Sequence, residues 1–162
     1  VKLMNKIYFY QTEIGRIGIV ENGEGITAVY FNESEIANKF ELEETDLLRE
    51  AAKQLQEYFS GTRSIFEIPI ILEGTDFQKS VWKALQEIPY GETRSYGDIA
   101  KSIGNPKACR AVGMANNRNS IPVFIPCHRV IGSNGKLVGY AGGLEIKKHL
   151  LEIEKINANS YT

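Results

Sequence analysis

The chain changes character near Asp76. Before that residue, "KIYFYQTEIGRIGIVENGEGITAVYF" offers short β-rich runs cut by Gly15, by Asn22-Gly23 and by Gly25. Such punctuation reads as a strand meander, with Asn22-Gly23 as a favoured hairpin turn. "TDLLREAAKQLQEYFSG" then predicts a helix, capped by Thr45 or Asp46 and stopped at Gly61. "SIFEIPIIL" reads as one more strand, placed at a sheet edge by Pro69. A chain of 162 residues is long enough to bury two small cores.

After Asp76 the apolar residues fall at helical spacing. "DFQKSVWKALQEIPYG" predicts an amphipathic helix ended by Pro89 and Gly91. "RSYGDIAKSIG" predicts a short helix ending at Gly104. "NPKACRAVGMANN" predicts another, with Asn105 as N-cap and Pro106 in the first helical position. Two short helices joined at a glycine resemble a helix-turn-helix. "LEIKKHLLEIEKI" predicts a last helix with Leu144, Leu150, Leu151 and Ile153 toward the core. The reading is an α+β chain: a β-sheet and helix over residues 1–75, a mainly helical unit over 76–156, and a flexible polar tail over 157–162.

The net charge of -1 hides an asymmetry. Residues 1–76 hold 7 basic and 14 acidic side chains, residues 77–136 hold 9 and 3, and the remainder is balanced at 3 and 3. A basic middle segment is what a polyanion-binding face needs, and also what chance clustering of solvated charge produces. No apolar run could span a bilayer and no signal peptide is read. Cys109 and Cys127 form neither a disulfide framework nor a zinc spacing, so a reducing cytoplasm, no metal and no cofactor are expected.

The most chemical stretch is "IPCHRV". Pro122 and Pro126 bracket "VFI", which predicts a short buried strand over 123–125 and places Cys127 at its end or in a turn. A thiolate is the nucleophilic form of cysteine, and a neighbouring base or cation increases its fraction. His128 can act directly or through a water, and Glu154 can orient the imidazole, giving a cysteine–histidine–acid relay. A structural cysteine beside a satisfied histidine fits the same residues. The glycine-rich "GSNGKLVGYAGG" that follows leaves room for a flat ligand and offers amide donors at a helix start. It contains neither phosphate-loop nor dinucleotide pattern.

"PCHRV", preceded by "RAVGMANNRNSIP" and followed by "GYAGGLEIKKHLLEIE", resembles the O6-alkylguanine-DNA alkyltransferases, the methylated-DNA–protein-cysteine methyltransferases. "GETRSYGDIAKSIGNPKACRAVG" matches their DNA-binding segment, so the resemblance spans about residues 76–154. It implies a ribonuclease-H-like N-terminal domain and a winged helix-turn-helix-like domain for DNA binding and catalysis. It also implies irreversible single-turnover transfer of the alkyl group from O6-alkylguanine, or O4-alkylthymine, to Cys127 after base flipping.

By the same resemblance His128, a water and Glu154 hold Cys127 as thiolate, and Asn119 bridges elements around the site. Arg110 fills the gap left by the flipped base, and Tyr96 holds its phosphate and contacts the base. Small residues, among them Ala111 and Gly113, let the recognition helix approach the minor groove. The carbonyls of Cys127 and Val130 accept the guanine amino group, Tyr140 walls the pocket, and the Ala141 amide faces O6. Many relatives carry serine in place of Ala141 and proline in place of Ser120. The expected partner is double-stranded DNA, met by a monomer away from any membrane.

Two other readings stand beside this one. Alkyltransferase-like proteins recognise the lesion without transfer, but lack the acceptor cysteine that Cys127 supplies. A cysteine hydrolase built on Cys127 and His128 leaves the DNA-binding segment unexplained.

Overall fold

Two glycine-bearing turns set the N-terminal sheet. β1 (Lys6–Thr12) reverses into β2 (Gly15–Glu21) where Gly15 takes a φ of 105°. β2 reaches β3 (Ile26–Tyr30) through Asn22, whose side chain accepts from the amides of Glu24 and Gly25, and through Gly23 at φ 93°. β4 (Glu41–Leu42) adds to β1 in parallel, giving the order β3-β2-β1-β4 with the other pairs antiparallel. The register aligns Ile7, Val20 and Ala28, which form a core with Phe9, Tyr30 and Phe40.

The computed structural model describes residues 4–31 and 38–161 and divides into two units, Val1–Leu72 and Glu73–Thr162. In the first unit α1 (Asp46–Phe59) packs on the strands. Thr45 is its N-cap, accepting from the Leu48 amide. Leu48, Ala51, Leu55 and Tyr58 are fully buried, each leucine contributing about 2 kcal/mol of apolar transfer. "SIFEIPIIL" is not a strand along its length. It makes one bridge, Ile26 to Ile70, through the Pro69 carbonyl and the Ile71 amide. Pro69 has no N–H with which to extend the ladder.

The second unit begins with α2 (Asp76–Gln86), opened by a reciprocal cap between Thr75 and Gln78. β5 (Arg94–Ser95) leads into α3 (Tyr96–Ser102), capped likewise by Ser95 and Asp98. Gly104, at φ 79°, turns the chain toward α4 (Cys109–Asn117), completing the helix-turn-helix. The start of α4 is later than the sequence predicts. Asn105 is not its cap and Pro106 is not its first residue. The Ala108 amide closes a turn onto the Asn105 carbonyl, and Ala108 is the N-cap, without a side-chain bond. Trp82 donates its indole N–H to the Ala115 carbonyl at 2.9 Å, fastening α2 to α4.

β6 (Val130–Ile131) pairs in parallel with β5. α5 (Leu144–Asn157) buries Leu150 and Ile153. Leu144, expected inward, is 48% exposed because it occupies the first turn, before the helix reaches the core. α5 runs through Asn157 into a 3-10 turn, Ala158–Tyr161, in the stretch expected as a flexible tail. Among the described residues no helix is long and apolar enough to cross a membrane.

Candidate active site

Residues 121–125 form a tight buried turn, not the strand that the flanking prolines suggest. The Ile125 amide reaches back to the Ile121 carbonyl at 3.0 Å, and Val123 adopts a φ of 72°. A β-branched residue in the left-handed region costs about 1–3 kcal/mol unless its surroundings hold it there. Asn119 does so from inside the loop. Its Oδ1 accepts from the Ile121 amide at 2.9 Å and its Nδ2 donates to the Ile125 carbonyl at 3.0 Å.

This loop delivers the chain into a 3-10 turn, Cys127–Arg129, whose three side chains are all buried. Cys127 is 4% exposed, and its amide donates to the Ile125 carbonyl. Asn116, buried on α4, approaches the Cys127 carbonyl with its Nδ2 at 3.5 Å. Val130, also buried, follows directly in β6.

α5 supplies the partners. Lys147, Leu150 and Glu154 share one helical face at i, i+3 and i+7, so two ionisable groups enter the core on an apolar stripe. Glu154 is 1% exposed. Its Oε2 lies 2.5 Å from His128 Nε2 and accepts from Arg129 Nη2 at 3.1 Å. Its Oε1 accepts from Arg129 Nε at 2.8 Å and from the Gly91 amide at 3.1 Å. Arg129 Nη1 donates to the Ile88 carbonyl, and the guanidinium sits over the Tyr90 ring. Gly91 has a φ of 83°, and a Cβ there would stand 2.8 Å from that of Ala158. Only glycine brings that amide to Glu154 without displacement.

Burial pushes the Cys127 thiol up to about 11, against the Asn119 side chain and the Lys147 ammonium, which favour thiolate. Burial also lowers His128, offset in part by Glu154. For Glu154 burial acts to raise the pKa, but His128 and Arg129 overcome it and hold the carboxyl at about 2. Burial lifts Tyr140 well above its ordinary range, and the negative charge of Cys127 and Glu154 adds to this. Tyr96 is raised for the first two of those reasons, burial and Cys127.

The residues singled out in the sequence fall into two groups. Cys127, His128, Glu154 and Asn119 meet in one buried cluster with Val130 behind, while Tyr96 and Tyr140 lie close enough for an ionised Cys127 to raise their hydroxyls. Arg110 and Ala111 lie on the exposed side of α4, and Gly113 sits against the Tyr96 ring. Ala141 is exposed, in a turn closed by the Gly143 amide on the Tyr140 carbonyl.

Sequence reasoning missed Arg129, Lys147 and Asn116. Lys147 is fully buried, and its Nζ donates to the carbonyls of Val138 and Gly139. Tyr96 donates its hydroxyl to the same Val138 carbonyl at 3.3 Å. The signal for Lys147 was its spacing from Leu150 and Glu154. Among the described residues no cluster of three or more histidine, cysteine or acidic side chains is placed to hold a metal ion.

Two family models cover most of the chain. Residues 6–72 match "6-O-methylguanine DNA methyltransferase, ribonuclease-like domain", and residues 76–156 match the DNA binding domain of the same protein. A methylated-DNA–protein-cysteine methyltransferase of Methanosarcina acetivorans is 53% identical over 149 residues, covering 90% of this chain and 95% of its own. The constitutive enzyme of Bacillus subtilis is 49% identical over 161 residues, covering 95% and 98%. The crystal structure of the Mycobacterium tuberculosis O6-methylguanine methyltransferase superposes with a TM-score of 0.88 at 44% identity, covering 95% and 94%. That of Mycobacterium tuberculosis OGT in complex with DNA gives 0.87 at 44%, covering 94% of each chain. With both domains matched in order and relatives aligned nearly end to end, the chain belongs to the 6-O-methylguanine DNA methyltransferase family.

Proposed function

We propose that Cys127 accepts the alkyl group of O6-alkylguanine in duplex DNA, once, with His128 as its base and Glu154 as the anchor of that base. By family the chain is a DNA-repair methyltransferase of the protein-cysteine type. One observation carries the assignment of parts: a buried turn carries the cysteine next in sequence to a histidine whose Nε2 is bound to an ionised glutamate.

At a pKa of about 11, only about one thiol in ten thousand is ionised at neutral pH, so the sulfur needs a base. The Nε2–H of neutral His128 is donated to Glu154, which leaves the basic lone pair on Nδ1. Nδ1 takes the thiol proton, directly or through a water. The sulfur forms a bond to the alkyl carbon, the carbon–O6 bond breaks, and its electron pair goes to O6, where the Ala141 amide donates. The thioether has no leaving group, so the chain acts once.

The carbonyls of Cys127 and Val130 accept the guanine amino group, Tyr140 walls the pocket, and Asn119 holds the loop that carries the thiol. Extrusion of the base costs a few kcal/mol. Arg110 fills the vacated stack, Tyr96 holds the phosphate, and Ala111 and Gly113 let α4 approach the minor groove. The basic stretch over residues 77–136 supplies attraction to phosphates without reading sequence. One chain carries every group named, so it works as a monomer, and its two free cysteines suit a reducing cytoplasm.

The test is mass spectrometry after mixing the protein with excess O6-methylguanine duplex. One methyl per chain is expected, on the peptide holding Cys127. Cys127→Ala should take no methyl and still bind the duplex. A methyl on Cys109, or turnover beyond one equivalent, sinks the reading. The Cys127 side chain itself sets the chain apart from a protein that only binds the lesion.

A further inference from the structure

Arg129 follows Cys127 and His128 directly, and its side chain is committed to other groups. It forks onto Glu154, reaching Oε1 with Nε at 2.8 Å and Oε2 with Nη2 at 3.1 Å, while Nη1 is spent on the Ile88 carbonyl. A bidentate guanidinium–carboxylate pair is the geometry in which an arginine fixes both position and charge of an acid. Here the acid is the one that holds the imidazole.

The consequence lies in what His128 meets. A histidine bound to a lone buried carboxylate is drawn toward imidazolium, because the ion pair offsets its desolvation. An imidazolium has no lone pair with which to take a proton from a thiol. The charged groups that act on His128 are Glu154 and Lys147 from α5 and Arg129 on its own turn. Glu154 alone among them favours the protonated ring at rest, and the Arg129 charge sits directly on it.

We propose that Arg129 is a positioning residue of the relay: it occupies both oxygens of Glu154 and cancels its charge, so that His128 rests as a neutral proton acceptor. This rests on Cys127 as acceptor and His128 as its base.

The experiment follows the pH dependence of the reaction with free O6-benzylguanine, which needs no DNA contact. The imidazole of His128, one of only two histidines, is titrated in parallel by NMR. In Arg129→Met the acid limb and the imidazole titration should both move to higher pH, by about one unit or more. At a pH below both limbs the rate should fall about tenfold for each pH unit the limb moves, and it should recover in mildly alkaline buffer. Arg129→Lys, which keeps the charge, should stay near the parent limb. Glu154→Gln should move the limb the other way, to lower pH, because the arginine then acts on His128 uncompensated.

A limb that stays at the parent pH in Arg129→Met, with only a uniform loss of rate, overturns the proposal and marks the residue as structural. If that variant does not fold, Glu154→Gln decides alone, and an upward or absent shift is fatal. Methylation persisting in Cys127→Ala would instead overturn the underlying reading, so the two failures are distinguishable.

Discussion

Asn119 shows how one side chain can set a nucleophile. Its two hydrogen bonds close on the residues flanking Val123, the β-branched residue held at φ 72°. In Asn119→Ala the buried Ile121 amide loses its partner, while the Ile125 carbonyl keeps the Cys127 amide. Stability to urea should fall by about 1–3 kcal/mol, and the rate with O6-benzylguanine should fall as well, because Cys127 also loses a group that favours its thiolate. Full activity with unchanged stability would show that the loop holds itself. The bridging role of this residue entered the sequence reading only through the family resemblance, because an asparagine before a proline-flanked run otherwise reads as an ordinary loop cap. Glu154 was equally hidden as a single letter, since glutamates near a C-terminus are nearly always exposed. It was singled out through the family resemblance, and its spacing from Lys147 and Leu150 is what carries it into the core.

At the scale of elements, α4 is the piece whose outer face has no structural task. Val112, Ala115 and Asn116 are buried, while Arg110 and Ala111 face solvent together with Met114, which is 59% exposed. Arg110→Ala should therefore slow repair of duplex DNA far more than reaction with O6-benzylguanine, because filling a base stack matters only in a duplex. Equal losses on the two substrates would place Arg110 in support of the pocket. Duplex binding should also weaken steeply with added salt and show little sequence preference, and a sharply preferred motif in a selection experiment would contradict phosphate-led binding. The start of α1 was legible because its cap, Thr45, lies a few residues from the amide it accepts from; α2 and α3 open on caps of the same kind, Thr75 and Ser95, which the sequence reading did not single out. The starts misread were those set by backbone bonding. Pro106 suits a turn as well as a first helical turn, and "VFI" between prolines suits a buried turn as well as a strand. Local composition cannot choose between such pairs; the Asn119 bracket and the Ala108 turn do.

For the molecule as a whole, the relay proposed to serve reaction also ties folding to pH. His128 is held neutral, with its pKa below the ordinary 6.5, so the unfolded chain takes up a proton there first. The stability this histidine contributes is complete above 6.5 and is lost as the pH falls below it. Glu154 is depressed from 4.5 to about 2. Its contribution, about 3 kcal/mol, is complete above 4.5 and disappears as the pH drops from there toward 2. Acid should thus destabilise the protein in two stages, the second steeper because Glu154 anchors both His128 and Arg129. Trp82, the single tryptophan, is buried against α4 in the same unit as the relay, so its fluorescence reports on the right transition. Urea unfolding followed by Trp82 across this pH range should reveal both stages in the parent. In Glu154→Gln the stage between 4.5 and 2 should vanish, while the protein starts from a lower stability at neutral pH. A variant that keeps the full acid transition in that window would show that other carboxylates, not the relay, govern the loss of structure in acid.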